Sequence, residues 1–404
     1  MRVLLTGGAG FIGSHIADEL IGGGHEVVVL DSLDTAAHDG QPEWLHPAVS
    51  YHWGDVADPN QWRALLKGCD GICHQAAKVG LGVNFADAPA YVQSNDLGTA
   101  VMLAVAHEQR FAGRIVLASS MVVYGEGAYR CGEHGVIRPP PRAVGDLDAG
   151  RYEPPCPRCG AALEPDLVEE DALLDPRNVY AATKLHQEHL LSAFAREHPL
   201  VFSIALRYHN VYGPRMPADT PYAGVAAILR SALAAGQRPR LFEDGGQRRD
   251  FVHVGDVAHA NVLALVTAQP PAGPCNIASG SPATLLEMAS ALAHAHGHGL
   301  TPEVVGGYRL GDVRHITAST VRAAAQLGFR ATVGLAQGMA EFAPRPPASS
   351  APSPISGPTE RTGRRGPAGL LAGGVAGLGG LAGLVLRGRN LSDADPAMVG
   401  GGSP

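Results

Sequence analysis

The chain has 404 residues, 45% apolar and 17% charged, with 31 basic against 38 acidic side chains and a formal charge of −7. That length has room for two or three domains with a sizeable core, and the acidic balance argues against a nucleic-acid binder, which carries a basic patch. Six cysteines in so long a chain do not make a disulfide scaffold, and the apolar run 3–5 is too short for a signal peptide, so a cytoplasmic protein is expected.

In chain order, β-rich runs at 2–6, 26–30, 49–53, 71–74, 114–119 and 201–206 alternate with helical patterns over 11–23, 60–67, 88–110 and 178–197. This alternation predicts an α/β fold, a doubly wound parallel sheet of Rossmann type with helices on both faces. Buried parallel strands are almost continuously apolar, and Val27, Val28, Val29 and Leu30 fit that. The sheet domain is placed at 1–206. From 207 to 342 the pattern loosens into Pro- and Gly-punctuated segments, which predicts a smaller mixed substrate domain partly interleaved with the first. From 343 to 404 the composition turns to Pro, Ser, Gly and Ala, too poor in burial to offset its ordering entropy, so a disordered tail is expected. Its uncharged stretch 368–386 holds seven glycines, which weakens any stable membrane insertion.

Between the first strand and the first helix, Gly8-x-Gly10-x-x-Gly13 has the dinucleotide-binding spacing. One glycine permits the tight turn, one lets backbone amides approach a pyrophosphate, and one lets helix and strand pack closely. Gly7, Gly10, Phe11, Ile12 and Gly13 are the cofactor-binding candidates, the amides at the helix start facing the phosphates. Asp31 ends the second strand, where a carboxylate hydrogen-bonds the adenine ribose and repels the extra phosphate of NADP. Ser32 and Leu33 offer that phosphate no cation, so NAD is favoured.

Together with Asp55-Val56, Ser119-Ser120-x-x-x-Tyr124-Gly125 and Tyr180-x-x-x-Lys184, this stretch resembles the extended short-chain dehydrogenase/reductase family, in its nucleotide-sugar epimerase and dehydratase branch. The physics of Tyr180 and Lys184 stands apart from the resemblance. Residues four apart share a helix face, so the ammonium sits below the phenol. A unit charge at roughly 7 Å with an effective dielectric near 20 is worth about 2 kcal/mol, which should draw the phenol from ~10 to roughly 8–9, toward general-base use. The resemblance implies that Ser120 hydrogen-bonds the reacting sugar hydroxyl and that Ser119 supports the backbone. It also implies that Asn95 and Lys78 organise the site near the cofactor, and that Asp55 and Val56 flank the adenine.

Dehydratases of this branch carry an acid after the catalytic Ser or Thr; here Met121, Val122 and Val123 occupy those positions, as in the epimerases. By the same resemblance Asn210, Arg249 and Arg309 contact the substrate diphosphate, for which guanidinium groups supply planar bidentate donors. The stretches 221–228 and 242–250 are similar to dTDP-L-rhamnose 4-epimerases, with UDP-glucose 4-epimerase as the broader likeness. The implied activity is 4-epimerisation of a nucleotide sugar through a 4-keto intermediate, with NAD regenerated each turnover. A net reductase of a 4-keto nucleotide sugar and a non-catalytic NAD-binding protein stay as rivals. A homodimer is expected from the family.

The stretch between Tyr124 and Tyr180 is longer than the family usually carries, and an insert is placed at 128–171. It holds Cys131-x-x-His134 and Cys156-x-x-Cys159, two ligand pairs of the kind that make a closed tetrahedral zinc site. Free thiols and disulfides are the alternatives. Cys69, Cys73 and Cys275 read as core, and the His294-x-His296-x-His298 cluster as solvated surface at a helix end.

Overall fold

The computed structural model describes residues 1–343 apart from 36, 39, 81–84, 218–223, 269–272 and 298. The predicted tail, the Pro221, Tyr222 and Ala223 part of the rhamnose-epimerase likeness, and His298 therefore lie outside the described residues. Seven parallel strands form the central sheet: β1 (Arg2–Thr6), β2 (Glu26–Asp31), β3 (Ser50–Trp53), β4 (Gly71–His74), β5 (Arg114–Ser120), β6 (Phe202–Tyr208) and β7 (Gly273–Ile277). Their order is β7-β6-β5-β4-β1-β2-β3. The chain winds outward from β1 to β3, then crosses back to β4 on the other side of β1. The carboxyl ends of β1 and β4 thus open a crevice at the point where the order reverses, the usual ligand position in such sheets.

Alternation along the strands feeds two cores. Val3, Leu5, Val27 and Val29 point to one face, where they pack with Ile16 and Leu20 of α1 (Phe11–Gly22). Leu4, Val28 and Leu30 point to the other face, against Trp62 of α2 (Pro59–Leu65), Met102 of α3 (Gly98–Glu108), and Leu191 and Phe194 of α4 (Val179–Glu197). Helix α5 (Val254–Val266) and β7 return to the first face and to the sheet edge from within the 207–342 stretch, and β6 runs past residue 206 to Tyr208. The described residues fall within one compact unit.

The bounds of β1 to β6 match expectation within two residues, whereas β7, which comes from the 207–342 stretch, lies outside the expected set of strands. The helix expected over 88–110 is broken: Ala88–Tyr91 is α-helical, Val92–Leu97 is a π-helical turn, and α3 follows. The backbone stays in the right-handed helical region across the join, so no propensity signal marks it. The π turn carries Asn95 into full burial.

Within the 207–342 stretch, Tyr212, Leu229, Leu233, Phe251, Met288, Leu292, Met339 and Phe342 form a third core. A capping box of Thr284 and Glu287 opens the helix Leu285–His296 there. His296, expected at the surface, is buried at the end of that helix, while His294 is exposed. Cys73 and Cys275 are fully buried and Cys69 partly so. No helix among the described residues is long and apolar enough to cross a membrane.

Candidate active site

The loop between β1 and α1 is shaped by glycine at each turn. Gly7 has a φ of +68°, and a Cβ there would meet Ala76 N at 2.8 Å. A Cβ on Gly13 would fall 2.1 Å from the Gly7 carbonyl oxygen, and one on Gly8 would fall 2.4 Å from Val29 Cγ2. The backbone closes on itself through Gly10 N to Gly7 O at 3.2 Å and Gly7 N to Leu30 O at 2.9 Å. Gly10 caps α1 with no side-chain hydrogen bond, and the first turn holds no acid. The free amides of Phe11 and Ile12 therefore open a cradle suited to an anion, and its chemistry fits a dinucleotide pyrophosphate.

Beside it, Asp31 is buried with each carboxylate oxygen accepting one backbone N–H, from Ala9 at 2.9 Å and from Leu33 at 2.9 Å. An ionised carboxylate has roughly four acceptor sites, so ribose hydroxyls can still be bound. Asp55 accepts from Ala57 N at 2.8 Å, and Val56 packs against Gly98 at the start of α3, where a Cβ would meet it at 2.6 Å.

The candidate reacting groups come from three elements. Ser120 ends β5 and its Oγ accepts from Val122 N at 3.3 Å, capping the turn Met121–Tyr124. Tyr180 and Lys184 lie on the first turns of α4, which Asn178 caps by accepting from Ala181 N at 2.8 Å. Lys184 Nζ lies 6.0 Å from the centre of the Tyr180 ring and donates to Ala118 O at 2.9 Å. Asn95 ties the set together: it accepts from Lys78 N at 2.8 Å and donates to Lys78 O at 3.0 Å and to Thr183 Oγ1 at 2.9 Å. The loop at 76–80, the π turn and α4 are thus clipped at one buried amide.

The pair does not titrate as the charge argument predicts. Burial pushes Tyr180 up to about 12, opposed by a hydrogen bond with Ser120. Burial also pulls Lys184 down to about 7, against the pull of Glu188 and Asp96. Desolvation disfavours the charged form of each group, which moves the phenol up and the ammonium down.

Among the residues expected to meet a diphosphate, Asn210 opens a short strand paired in register with Phe251–His253, and its N–H donates to Asp250 O at 2.9 Å. Its side-chain oxygen is buried with no hydrogen-bond partner among the described residues, so it is open to a donor from a ligand, whereas a diphosphate would be met by its Nδ2–H groups. Arg249, one residue before Asp250, donates from Nη1 to Arg248 O and Arg314 O at 2.8 and 3.0 Å, and from Nη2 to Val313 O at 2.7 Å. Among its five donors, Nε–H and one Nη2–H remain. Arg309 is exposed, with its guanidinium 5.2 Å from the Phe242 ring centre.

In the insert, Cys131, His134, Cys156 and Cys159 bring their ligand atoms within 4.8 Å of one another. Cys131 ends the first strand of a three-stranded antiparallel sheet of Ala128–Cys131, Gly135–Ile137 and Glu164–Asp166, His134 lies in the turn that follows it, and Cys156 and Cys159 lie in the loop before the third strand. A hydrogen bond with His134, foremost, draws the Cys131 thiol down to about 6.

Two ion-pair clusters, each built on a buried arginine, escaped the sequence. Glu188 binds Arg207 at 2.9 and 2.7 Å and accepts from Ser119 Oγ at 2.5 Å, so Ser119 serves this pair rather than the backbone. Arg314 places all five N–H groups on Glu153, Glu243 and Asp244. No local spacing marks such pairs; the partners of Arg314 lie 70 or more residues away in sequence.

The sequence profile of the NAD dependent epimerase/dehydratase family matches residues 3–143 and 159–278, passing over 144–158 of the insert. The chain is 34% identical over 346 residues to dTDP-L-rhamnose 4-epimerase of Burkholderia thailandensis, covering 84% of this chain and 93% of the relative. It is 32% identical over 353 residues to UDP-glucose 4-epimerase of Mycolicibacterium smegmatis, covering 84% and 97%. The crystal structure of a Thermus thermophilus UDP-glucose 4-epimerase complexed with NAD superposes with a TM-score of 0.65 at 30% identity, over 85% of this chain and 97% of that one.

Proposed function

The chain belongs to the NAD dependent epimerase/dehydratase family, and from that premise we propose that it is an NAD-dependent nucleotide-sugar 4-epimerase. The observation that carries the reading is the joint presence of the glycine cradle, the Ser120, Tyr180 and Lys184 set, and an acid-free turn at Met121–Tyr124. Without an acid or base on that turn, elimination of water is left without its proton donor. The relatives named as 4-epimerases support the same choice.

NAD, when bound, supplies the hydride acceptor and donor at sugar carbon 4. Tyr180 Oη, whose ionisation the positive charge of the nicotinamide would favour against burial, takes the proton of the carbon-4 hydroxyl as the sugar is oxidised, and returns it when the turned 4-keto sugar is reduced on its other face. Ser120 Oγ hydrogen-bonds both the phenol and the sugar oxygen, holding the proton's path short. Lys184, anchored on Ala118 O, gives positive charge beneath the phenol and donors toward the cofactor ribose. Asn210, Arg249 and Arg309 hold the diphosphate, within a nucleotide half at 1–206 and a substrate half at 207–342. The sugar is dTDP-L-rhamnose or a UDP-hexose, and the chain works as a homodimer in the cytoplasm.

The same reading gives the insert a structural zinc ion. Zinc bonds of roughly 2.3 Å to sulfur and 2.1 Å to nitrogen make tetrahedral edges of about 3.8 Å between sulfurs and about 3.6 Å from sulfur to nitrogen. Three of the six edges are 3.6 Å for Cys131 to Cys159, and 3.5 and 3.7 Å from His134 to Cys131 and Cys156, and all four ligand atoms lie within 4.8 Å of one another. Four protein ligands close the site, so the ion holds the insert and does no chemistry.

The test is proton NMR of purified protein with dTDP-L-rhamnose and, separately, UDP-glucose, with no cofactor added. Appearance of a carbon-4 epimer is expected for one of them. A sugar left unchanged in both cases, even with NAD supplied, removes these substrates; consumption of NADH by a 4-keto sugar would establish the reductase instead.

A further inference from the structure

The stretch that the family profile passes over makes close polar contacts with the substrate side. Arg142, just before it, pairs with Glu243 at 2.8 Å, both side chains buried, and donates to Asp312 O at 2.8 Å. Glu153 accepts from Arg314 at 2.9 and 2.6 Å and meets His315 Nε2 at 2.9 Å. Tyr308 donates to Asp148 at 2.7 Å, and His315 N donates to the Tyr129 hydroxyl at 3.1 Å.

These contacts form one connected path. Tyr129 and Glu153 lie two and three residues from Cys131 and Cys156. They grip 314–315, and the carbonyls of Val313 and Arg314 in turn orient the Arg249 guanidinium. The insert's own core is five side chains, Tyr129, Cys131, Ile137, Cys156 and Leu163. So small a core needs a staple to hold a shape, and the two cysteines in that core belong to the Cys₃His cluster.

We infer that the insert is a metal-stapled positioning element for the substrate diphosphate: it fixes the 308–315 segment, and through that backbone it aims Arg249. This rests on the epimerase and zinc readings above. Glu153 and Arg142 are positioning residues, since neither touches the reacting atoms. The ligand they tune is a nucleoside diphosphate, whichever base it carries.

The test uses the full-length protein as purified, with zinc measured by elemental mass spectrometry and dTDP and UDP binding by calorimetry. KM and kcat for the epimerised sugar are measured beside them. One zinc per chain is expected. Glu153→Gln should keep zinc and bound NAD, weaken nucleotide binding and raise KM by roughly tenfold, and leave kcat nearly unchanged; Glu153→Asp should recover part of the loss. Arg142→Met should act in the same direction, which guards against misfolding of a single variant. Cys156→Ser should lose zinc and weaken nucleotide binding while keeping NAD. Unchanged nucleotide affinity in Glu153→Gln and Arg142→Met overturns the positioning role, and a wild-type protein purified without a stoichiometric metal overturns the staple. Nucleotide binding is read without turnover, so intact binding with no epimerisation strikes the functional reading alone.

Discussion

On the cofactor side, the cradle is made by what is missing: Gly7, Gly8 and Gly13 bring backbone within distances that a Cβ would forbid. Between the insert and the 207–342 stretch, the frame is made by what is added: Arg142, Glu153, Glu243 and Arg314 cross-link segments far apart in the chain. A backbone-built site is written in consecutive residues, because each glycine acts on its own φ or its own neighbour. A site built from ion pairs is written nowhere locally, because each partner is an ordinary charged residue until the fold brings it in. The first kind can be shared across a family, and the second leaves room for a chain-specific insert.

The largest effect expected belongs to neither frame but to the group between them. Tyr180→Phe should lower turnover by about 10³-fold while bound NAD and nucleotide affinity stay near wild type. A loss of only a few-fold in steady-state epimerisation would mean that another base carries the proton.

Two glycine variants sharpen the comparison. The Cβ of Gly13→Ala meets backbone at 2.1 Å, so both the thermal midpoint and NAD content should fall. Among the described residues the Cβ of Gly10→Ala has one neighbour within 4 Å, Gly7 O at 3.3 Å, and Gly10 has an ordinary φ of −75°. That variant should keep its midpoint within a few degrees and lose NAD by roughly tenfold, through obstruction of the pyrophosphate. Equal losses of midpoint in the two would show that the loop's shape, not its open side, is what the cofactor requires.

The smallest effect is in acid. His74, on β4 beneath the cradle, lies between Thr6 Oγ1 at 2.8 Å and Thr99 Oγ1 at 3.2 Å, and burial pulls it down to about 3. Its unfolded value is ~6.5, so between these values the unfolded chain binds more protons. The stability of the neutral imidazole is complete above ~6.5 and is lost as pH falls toward 3, at up to about 1.4 kcal/mol per pH unit. His74→Gln should flatten the decline in urea midpoint between pH 6.5 and pH 5; an unchanged slope would assign the acid sensitivity elsewhere, with His15, also lowered by burial, the next histidine to replace.

What could be read from the chain follows the same division. Strand bounds, the glycine cradle and the Tyr180 helix are legible because apolar alternation and fixed spacing are local signals. The break at Val92–Leu97 is not, since a π turn uses the same backbone region as the helix around it. The tyrosine's rise to about 12 is not legible either, because burial, which sets it, is a property of the assembled fold. Arg309 stood out by its Gly-Asp neighbourhood, whereas Arg314, five residues on, is the buried guanidinium of that segment. The Cys₃His cluster was legible from its paired spacing, and its link to Arg249 was not.

The central claim is that carbon 4 is oxidised and then reduced within one binding event. The direct measurement is proton NMR and mass spectrometry of the product formed from a nucleotide sugar deuterated at carbon 4, in ordinary water. Full retention of deuterium at carbon 4 of the epimer is predicted, because the hydrogen leaves and returns without meeting solvent. Loss of the label to water would contradict the account and point to proton abstraction at carbon instead.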